Sequence, residues 1–183
     1  CRYLQFDDVY WGSLCNNHLK PEFEADKAQA LENIQVVLAD KPADMLITPH
    51  VCRGNFRSTY LLSGAYDPIA DALFAKTNYD GYFLEYDDER SGGFEPLKYF
   101  AENPHKGKVV LGLISSKFPQ LENKDSIKAR IAEAAKYVPL EQLCLSPQCG
   151  FASTEEGNIM SEAQQWMKVR YVEEIAKEVW EEK

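Results

Sequence analysis

The sequence predicts an α/β fold on a parallel sheet, a (β/α)8 TIM barrel of which this chain covers roughly the last five βα units as one domain, 1–183. Two observations carry that expectation. Five short apolar runs, Arg2–Phe6, Met45–Thr48, Tyr82–Glu85, Val109–Ile114 and Leu143–Ser146, are each followed by a polar or Gly/Pro-containing loop and then by a helically periodic segment, and such alternation implies parallel strands with helices packed outside them. In addition, residue types that bind zinc stand near the ends of three of these runs: His50 and Cys52, then Glu85, then Cys149. They converge only if the strands are parallel with their carboxyl ends together. Periodicity alone also admits an open doubly wound sheet; convergence favours a barrel, whose carboxyl-terminal face gathers several loops around one point.

The helices follow in order from apolar spacing and end signals. Between Pro21 and Pro42 the residues Phe23, Leu31, Ile34, Val37 and Leu38 form a helical stripe that Pro42 stops. A second helix runs from near Asp67 to Lys76 with Pro68 in its first turn, where a missing N–H costs little. Gly92 and Gly93 precede a third around Phe94–Asn103, ended by Pro104. The fourth, near Asp125–Tyr137, aligns Ile127, Ile131 and Ala134 on one face. The last, Ser161–Glu181, starts at a Ser161 N-cap and carries Trp166, Val169, Val172, Ile175, Ala176 and Val179 on its apolar side.

With 183 residues the chain supports one substantial core. Its 29 acidic and 20 basic residues give a net charge of −9 with no Lys/Arg cluster, which argues against a nucleic-acid partner. No apolar stretch approaches the roughly 20 residues that cross a bilayer, and the N-terminus lacks a signal-peptide layout, so no membrane partner and a cytoplasmic location are expected. Cys1, Cys15, Cys52, Cys144 and Cys149 are odd in number and irregularly spaced, unlike a disulfide framework. The chain opens inside a strand-like run, CRYLQFDD, and reads as the later part of a longer protein. The expected first strand then leaves an open sheet edge, to be covered by a missing N-terminal segment or by self-association.

In Thr48-Pro49-His50-Val51-Cys52-Arg53-Gly54-Asn55, His50 and Cys52 are two residues apart, which in extended backbone puts both side chains on one side. A lone His-x-Cys is a weak signal and also fits a buried loop. Glu85 closes Gly81-Tyr82-Phe83-Leu84-Glu85, where burial without a partner is costly, so a cation or strong donor is expected nearby; Arg53, Arg57 and Arg90 are the alternatives to a metal. Cys149 stands beyond an apolar run, in Ser146-Pro147-Gln148-Cys149-Gly150, with Gly150 able to take a positive φ. Cys144, inside that run, reads as an inert small hydrophobe.

These residues together resemble the cobalamin-independent methionine synthase family, specifically its C-terminal catalytic barrel and the shorter single-barrel members. The family's His-x-Cys pair, next-strand Glu and Pro-x-Cys-Gly loop are matched by His50, Cys52, Glu85 and Pro147-Gln148-Cys149-Gly150, over essentially the whole chain. The resemblance implies a Zn2+ site formed by those four residues, a homocysteine thiol as methyl acceptor, and Glu85 as the ligand that yields to it. It also implies that Asp7, ending Tyr3-Leu4-Gln5-Phe6-Asp7, holds the substrate amino group. Two departures stand out. The family's Asp-Glu-Pro is here Asp7-Asp8-Val9, with no evident folate-contacting Glu. Where the family carries a proton-donating His, this chain has Ser115-Ser116-Lys117, which leaves Lys117 as the candidate catalytic acid or anion binder.

The resulting expectation is zinc-dependent methyl transfer to homocysteine or a similar small thiol, from methyl-folate or a methylcorrinoid protein, with this chain alone not competent. A related coenzyme M methyltransferase barrel is disfavoured by Glu85 and Asp7. The alternative of another class is a non-catalytic zinc- or thiol-binding paralogue.

Overall fold

The computed structural model describes residues 1–181. Five strands, β1 (Tyr3–Asp7), β2 (Leu46–Val51), β3 (Gly81–Glu85), β4 (Lys108–Ile114) and β5 (Leu143–Pro147), form one sheet in that order with every neighbouring pair parallel. Because the order never reverses there is no topological switch point, which excludes the doubly wound alternative. Each crossover advances the sheet by one strand, the winding of a barrel arc, and β1 and β5 are its edges among the described residues.

The connections are α1 (Val9–Asn16), α2 (Phe23–Ala39), α3 (Asp67–Lys76), α4 (Lys124–Ala134) and α5 (Glu162–Trp180). Two elements differ from the sequence expectation. The segment after β3 is a 3-10 helix, Glu95–Ala101, rather than an α-helix; Pro96 removes a donor near its start and Pro104 limits its length. Conversely, α1 was not anticipated, since its two turns contain Gly12 and only a short apolar stripe. Asp8 makes it possible by capping it, accepting from the N–H groups of Tyr10 (2.9 Å) and Trp11 (3.4 Å). Ser161 caps α5 as expected and forms a reciprocal capping box with Gln164.

The register sorts side chains onto two faces. Tyr82, Leu84, Val109, Leu111 and Leu143 point toward the helices and join Ile69, Leu73, Phe74, Ile127, Ile131 and Ile175 in the core. Burial of each such Leu, Ile or Phe contributes about 1.5–3 kcal/mol. The opposite face carries Gln5 and Thr48 as one matched pair, then Asp7, His50, Phe83, Val110 and Cys144 in one register row, and Glu85, Gly112 and Ser146 in the next. The upper rows of that face hold the candidate site. In α5 the expected stripe is only partly covered: Ile175 is buried, whereas Trp166 and Val169 are exposed. This helix follows an edge strand, so its stripe has a neighbour on one side only.

Candidate metal centre

His50 lies inside β2 rather than beyond it, because the strand continues through Pro49 to Val51. Pro49 is tolerated there since pairing with β3 begins only at His50. Cys52 follows directly and is buried against α1, where the backbone approaches so closely that a Cβ on Gly12 would meet the Cys52 carbonyl oxygen at 2.4 Å. Glu85 is the last residue of β3 and is fully buried. Cys149 sits in the loop after β5, which folds inward over β4; a Cβ on Gly112 would stand 2.7 Å from Gln148 Cα, so glycine there permits the approach. Gly150 does not use a positive φ, whereas Gly54, beyond Cys52, does (φ 93°).

One ligand atom from each of His50, Cys52, Glu85 and Cys149 lies within 4.8 Å of all the others. A tetrahedral site with bonds of about 2.0–2.3 Å has ligand–ligand edges of about 3.5 Å, so closing around an ion needs shifts of about 1 Å. The donor set also suits the ion in its unmet bonding. Glu85 Oε1 accepts from the Arg53 backbone N–H (3.0 Å) and lies 3.5 Å from His50 Nε2, but Oε2 is buried with no hydrogen-bond partner. Such an orphan is costly unless a cation takes it. Two thiols, an imidazole and this carboxylate therefore fit Zn2+, with borderline-soft ligands that also disfavour Mg2+ and Ca2+.

The electrostatics reflect crowding of acidic groups. The Cys52 thiol is pushed up, first by its hydrogen bond with Cys149 and then by burial. Cys149 is lowered by the same sulfur–sulfur pairing. Burial would lower His50, yet hydrogen bonds with Asp7 and Glu85 outweigh it and raise its pKa to about 10. Asp7 is lowered, chiefly by that same bond. Loading a divalent ion would expel the protons on the histidine and the thiols.

Asp7 Oδ1 is 2.8 Å from His50 Nδ1, and His50 Nε2 is 3.0 Å from the Gln148 carbonyl oxygen. A carboxylate on Nδ1 orients the ring and leaves Nε2 toward the other ligands. Asp7 thus touches a ligand, a role beyond the substrate contact implied by resemblance. A cavity of about 200 Å³ opens on this face, lined among others by Gln5, His50, Phe83, Gln148 and Cys149.

Lys117 lies apart from the four. It is 2% exposed, and its ammonium donates to the Gly54 carbonyl (3.1 Å), Asn55 Oδ1 (3.3 Å) and the Thr59 carbonyl (3.0 Å). All three donors are used to fasten the loop that follows Cys52, so protonating a substrate would require it to leave an acceptor. Cys144 lies on the same sheet face, paired with Val110, with its thiol raised by burial, and is outside the cluster. One contributor escaped the sequence reading, and another acts differently from the role given it there. The Gln148 carbonyl meets His50, while its side-chain Oε1 accepts from Ser116 N–H and Oγ, both at 2.7 Å, tying the β4 and β5 loops together. Arg53, anticipated only as an ion-pair partner for Glu85, supplies instead a backbone donor and a buried guanidinium.

Comparison with known proteins places these features in context. Residues 5–171 match the family model described as cobalamin-independent synthase, catalytic domain. Two Bacillus subtilis (strain 168) proteins described as uncharacterized, YxjG and YxjH, are 52% and 50% identical over 187 aligned residues, covering 98% of this chain and 49% of each relative. A Listeria monocytogenes structure, described as a candidate vitamin-B12-independent methionine synthase, is 45% identical with a TM-score of 0.75, over 98% of this chain and 49% of that one. A B12-independent methionine synthase from Shewanella sp. W3-18-1, solved with selenomethionine, has a TM-score of 0.72 at 18% identity and speaks to the fold alone. The chain spans about half the length of the curated relatives it matches.

Proposed function

Because this chain belongs to the cobalamin-independent synthase catalytic-domain family, we propose that it carries the zinc site of a methyltransferase that methylates the thiol of homocysteine to give methionine. The observation that carries the reading is the meeting of His50, Cys52, Glu85 and Cys149 at the carboxyl end of the sheet, with a buried, unpartnered oxygen on Glu85. The closed (β/α)8 barrel, with β1 and β5 paired to further strands, and a cytoplasmic location belong to the same reading. No helix among the described residues is long and apolar enough to cross a membrane.

In this proposal the two cysteines and His50 are the permanent ligands. Glu85 would be the ligand that gives way to the substrate thiol, as the family resemblance implies. Zn2+, when bound, supplies the Lewis acidity that ionises a thiol otherwise only a few per cent deprotonated at neutral pH. Asp7 keeps His50 oriented and, being largely exposed beside the cavity, offers its second oxygen to the substrate ammonium. Methyl transfer forms an S–CH3 bond and breaks the N–CH3 bond of a methylated amine donor such as methyl-folate, and the departing nitrogen needs a proton. Lys117 is the proposed source if the 53–61 loop releases it.

The test is direct. The chain should bind one zinc ion, and its cobalt(II) form should gain thiolate-to-metal charge-transfer intensity when homocysteine is added. Failure to hold either metal with all four ligands intact overturns the site. Zinc and thiol binding without turnover with methyl-folate or methylcobalamin, measured in a full-length relative, would favour a non-catalytic thiol-binding role.

A further inference from the structure

Next to Cys52, among residues of the helix side, lies a buried cation. Arg53 follows Cys52 directly, is 0% exposed, and has both Nε and Nη2 without a hydrogen-bond partner. Its Nη1 reaches the Gly64 carbonyl, and its guanidinium stacks on the Tyr66 ring with Cζ 4.6 Å from the centroid. Tyr66 in turn grips the Glu85 backbone: its hydroxyl accepts from the Glu85 N–H (3.0 Å) and donates to the Glu85 carbonyl (3.3 Å). The cation therefore sits one aromatic ring from Glu85, whose carboxylate the Arg53 backbone N–H also meets.

Arginine does not lose its proton, and an unpaired buried cation is costly, so an anion must offset it. Its neighbours on the helix side do not supply one. The groups there are the Cys15 thiol and the Tyr66 and Tyr86 hydroxyls, all buried and all neutral at pH 7 by their ordinary chemistry. Asp67 is exposed at the start of α3, and Arg53 forms no ion pair among the described residues. What remains is the ligand cluster. Two thiolates and a carboxylate carry three negative charges against the two of a divalent ion, leaving an excess negative charge in a buried place, and a substrate thiolate adds another.

We propose that Arg53 is the buried counter-ion of the metal centre, a positioning residue whose fixed positive charge offsets the excess negative charge of the loaded site and so tightens metal binding. The inference rests on the zinc-site reading above and goes beyond it by assigning the charge balance to a residue that touches neither metal nor substrate.

The experiment compares Arg53→Lys and Arg53→Met with the unmodified chain by chelator competition for zinc, together with the cobalt(II) absorption spectrum of each. Loss of charge in Arg53→Met should weaken zinc binding by about 10- to 100-fold, the range for lost supporting groups around a metal site. Arg53→Lys should recover most of that loss, and the cobalt spectrum should keep its tetrahedral, two-thiolate character in both. Unchanged zinc affinity in Arg53→Met overturns the proposal, as does an equal loss in both variants with an altered spectrum, which would mark a packing role. If Arg53→Met does not fold, Arg53→Lys decides alone: zinc affinity within about threefold of the parent supports a charge role, and a loss beyond tenfold overturns it. Absence of zinc binding in the unmodified chain is a different result and removes the site reading itself.

Discussion

At the amino-terminal end of the sheet Asp80 accepts from Lys41 Nζ at 2.6 and 2.7 Å and from the Ile47 N–H at 2.7 Å, with His105 Nε2 3.4 Å away. At the carboxyl-terminal end Glu85, more deeply buried, keeps one oxygen without a partner, and Arg53, Arg90 and Gln148 keep unused donors. Of the nine buried side-chain atoms without a partner among the described residues, eight belong to residues at or beyond the carboxyl ends of strands; Tyr79 is the exception. The contrast teaches where this fold spends stability. The lower end closes its polar groups on one another, and the upper end leaves them without partners, at the end where the loops of parallel α/β folds carry their binding groups.

The largest expected effect lies at the open end. Cys149→Ala should weaken zinc binding by at least about 100-fold, beyond the range for groups that only support a ligand, while Cys144→Ala leaves it unchanged. Zinc titration of the two variants side by side checks this, and equal losses would erase the distinction between loop and strand cysteines. At the closed end, Asp80→Asn should cost about 2 kcal/mol at neutral pH, since it removes hydrogen bonds to a charged acceptor. Burial would raise Asp80, but the Lys41 and Ile47 contacts outweigh it and hold its carboxyl below the usual value of 3.8. A lowered folded pKa means its contribution is complete above the unfolded value and disappears as pH falls through the folded one. Chemical denaturation at pH 7 and near pH 3 should therefore show the gap between parent and variant closing in acid; a gap constant with pH would mean that the carboxylate charge contributes nothing.

Lys117 bridges the comparison, being a fully satisfied cation at the open end. Lys117→Met should destabilise the chain by about 1–2 kcal/mol through three abandoned acceptors, visible as a lower thermal midpoint without added metal. In a catalytically complete relative carrying the same change, a drop in kcat at constant KM would support the proton-donor role, and a rise in KM alone would indicate anion binding. A change in stability alone would leave Lys117 as the fastener of the 53–61 loop. The smallest effect is expected for Asp7→Asn. The side chain is 68% exposed, so stability should barely change, but losing the charge on His50 Nδ1 should weaken zinc by about tenfold. An unaltered zinc affinity would return Asp7 to substrate contact alone.

Much of this organisation is written locally. The five strands were legible because each is an apolar run bounded by turn residues, and α3 and α5 because Pro68 and Ser161 mark their starts. The four convergent residues were legible because metal-binding residue types stand near the ends of apolar runs and their order matches a known ligand pattern. By contrast, α1 depends on Asp8 capping a short segment of weak helical character, and the 3-10 segment on where Pro96 and Pro104 happen to fall.

The sequence by itself determined the alternation of elements, the parallel sheet it requires and the chemical identity of the candidate ligands, because these depend on side-chain periodicity and residue type within a few positions. Only the tertiary structure decided that the strands run in unreversed order, that Lys117 is tied to the 53–61 loop, that Asp7 meets His50 and that Arg53 is sealed against Tyr66 without an ion-pair partner. Those outcomes turn on distances between residues dozens of positions apart. Such distances are set by packing and by competition among acceptors, and periodicity carries no record of them.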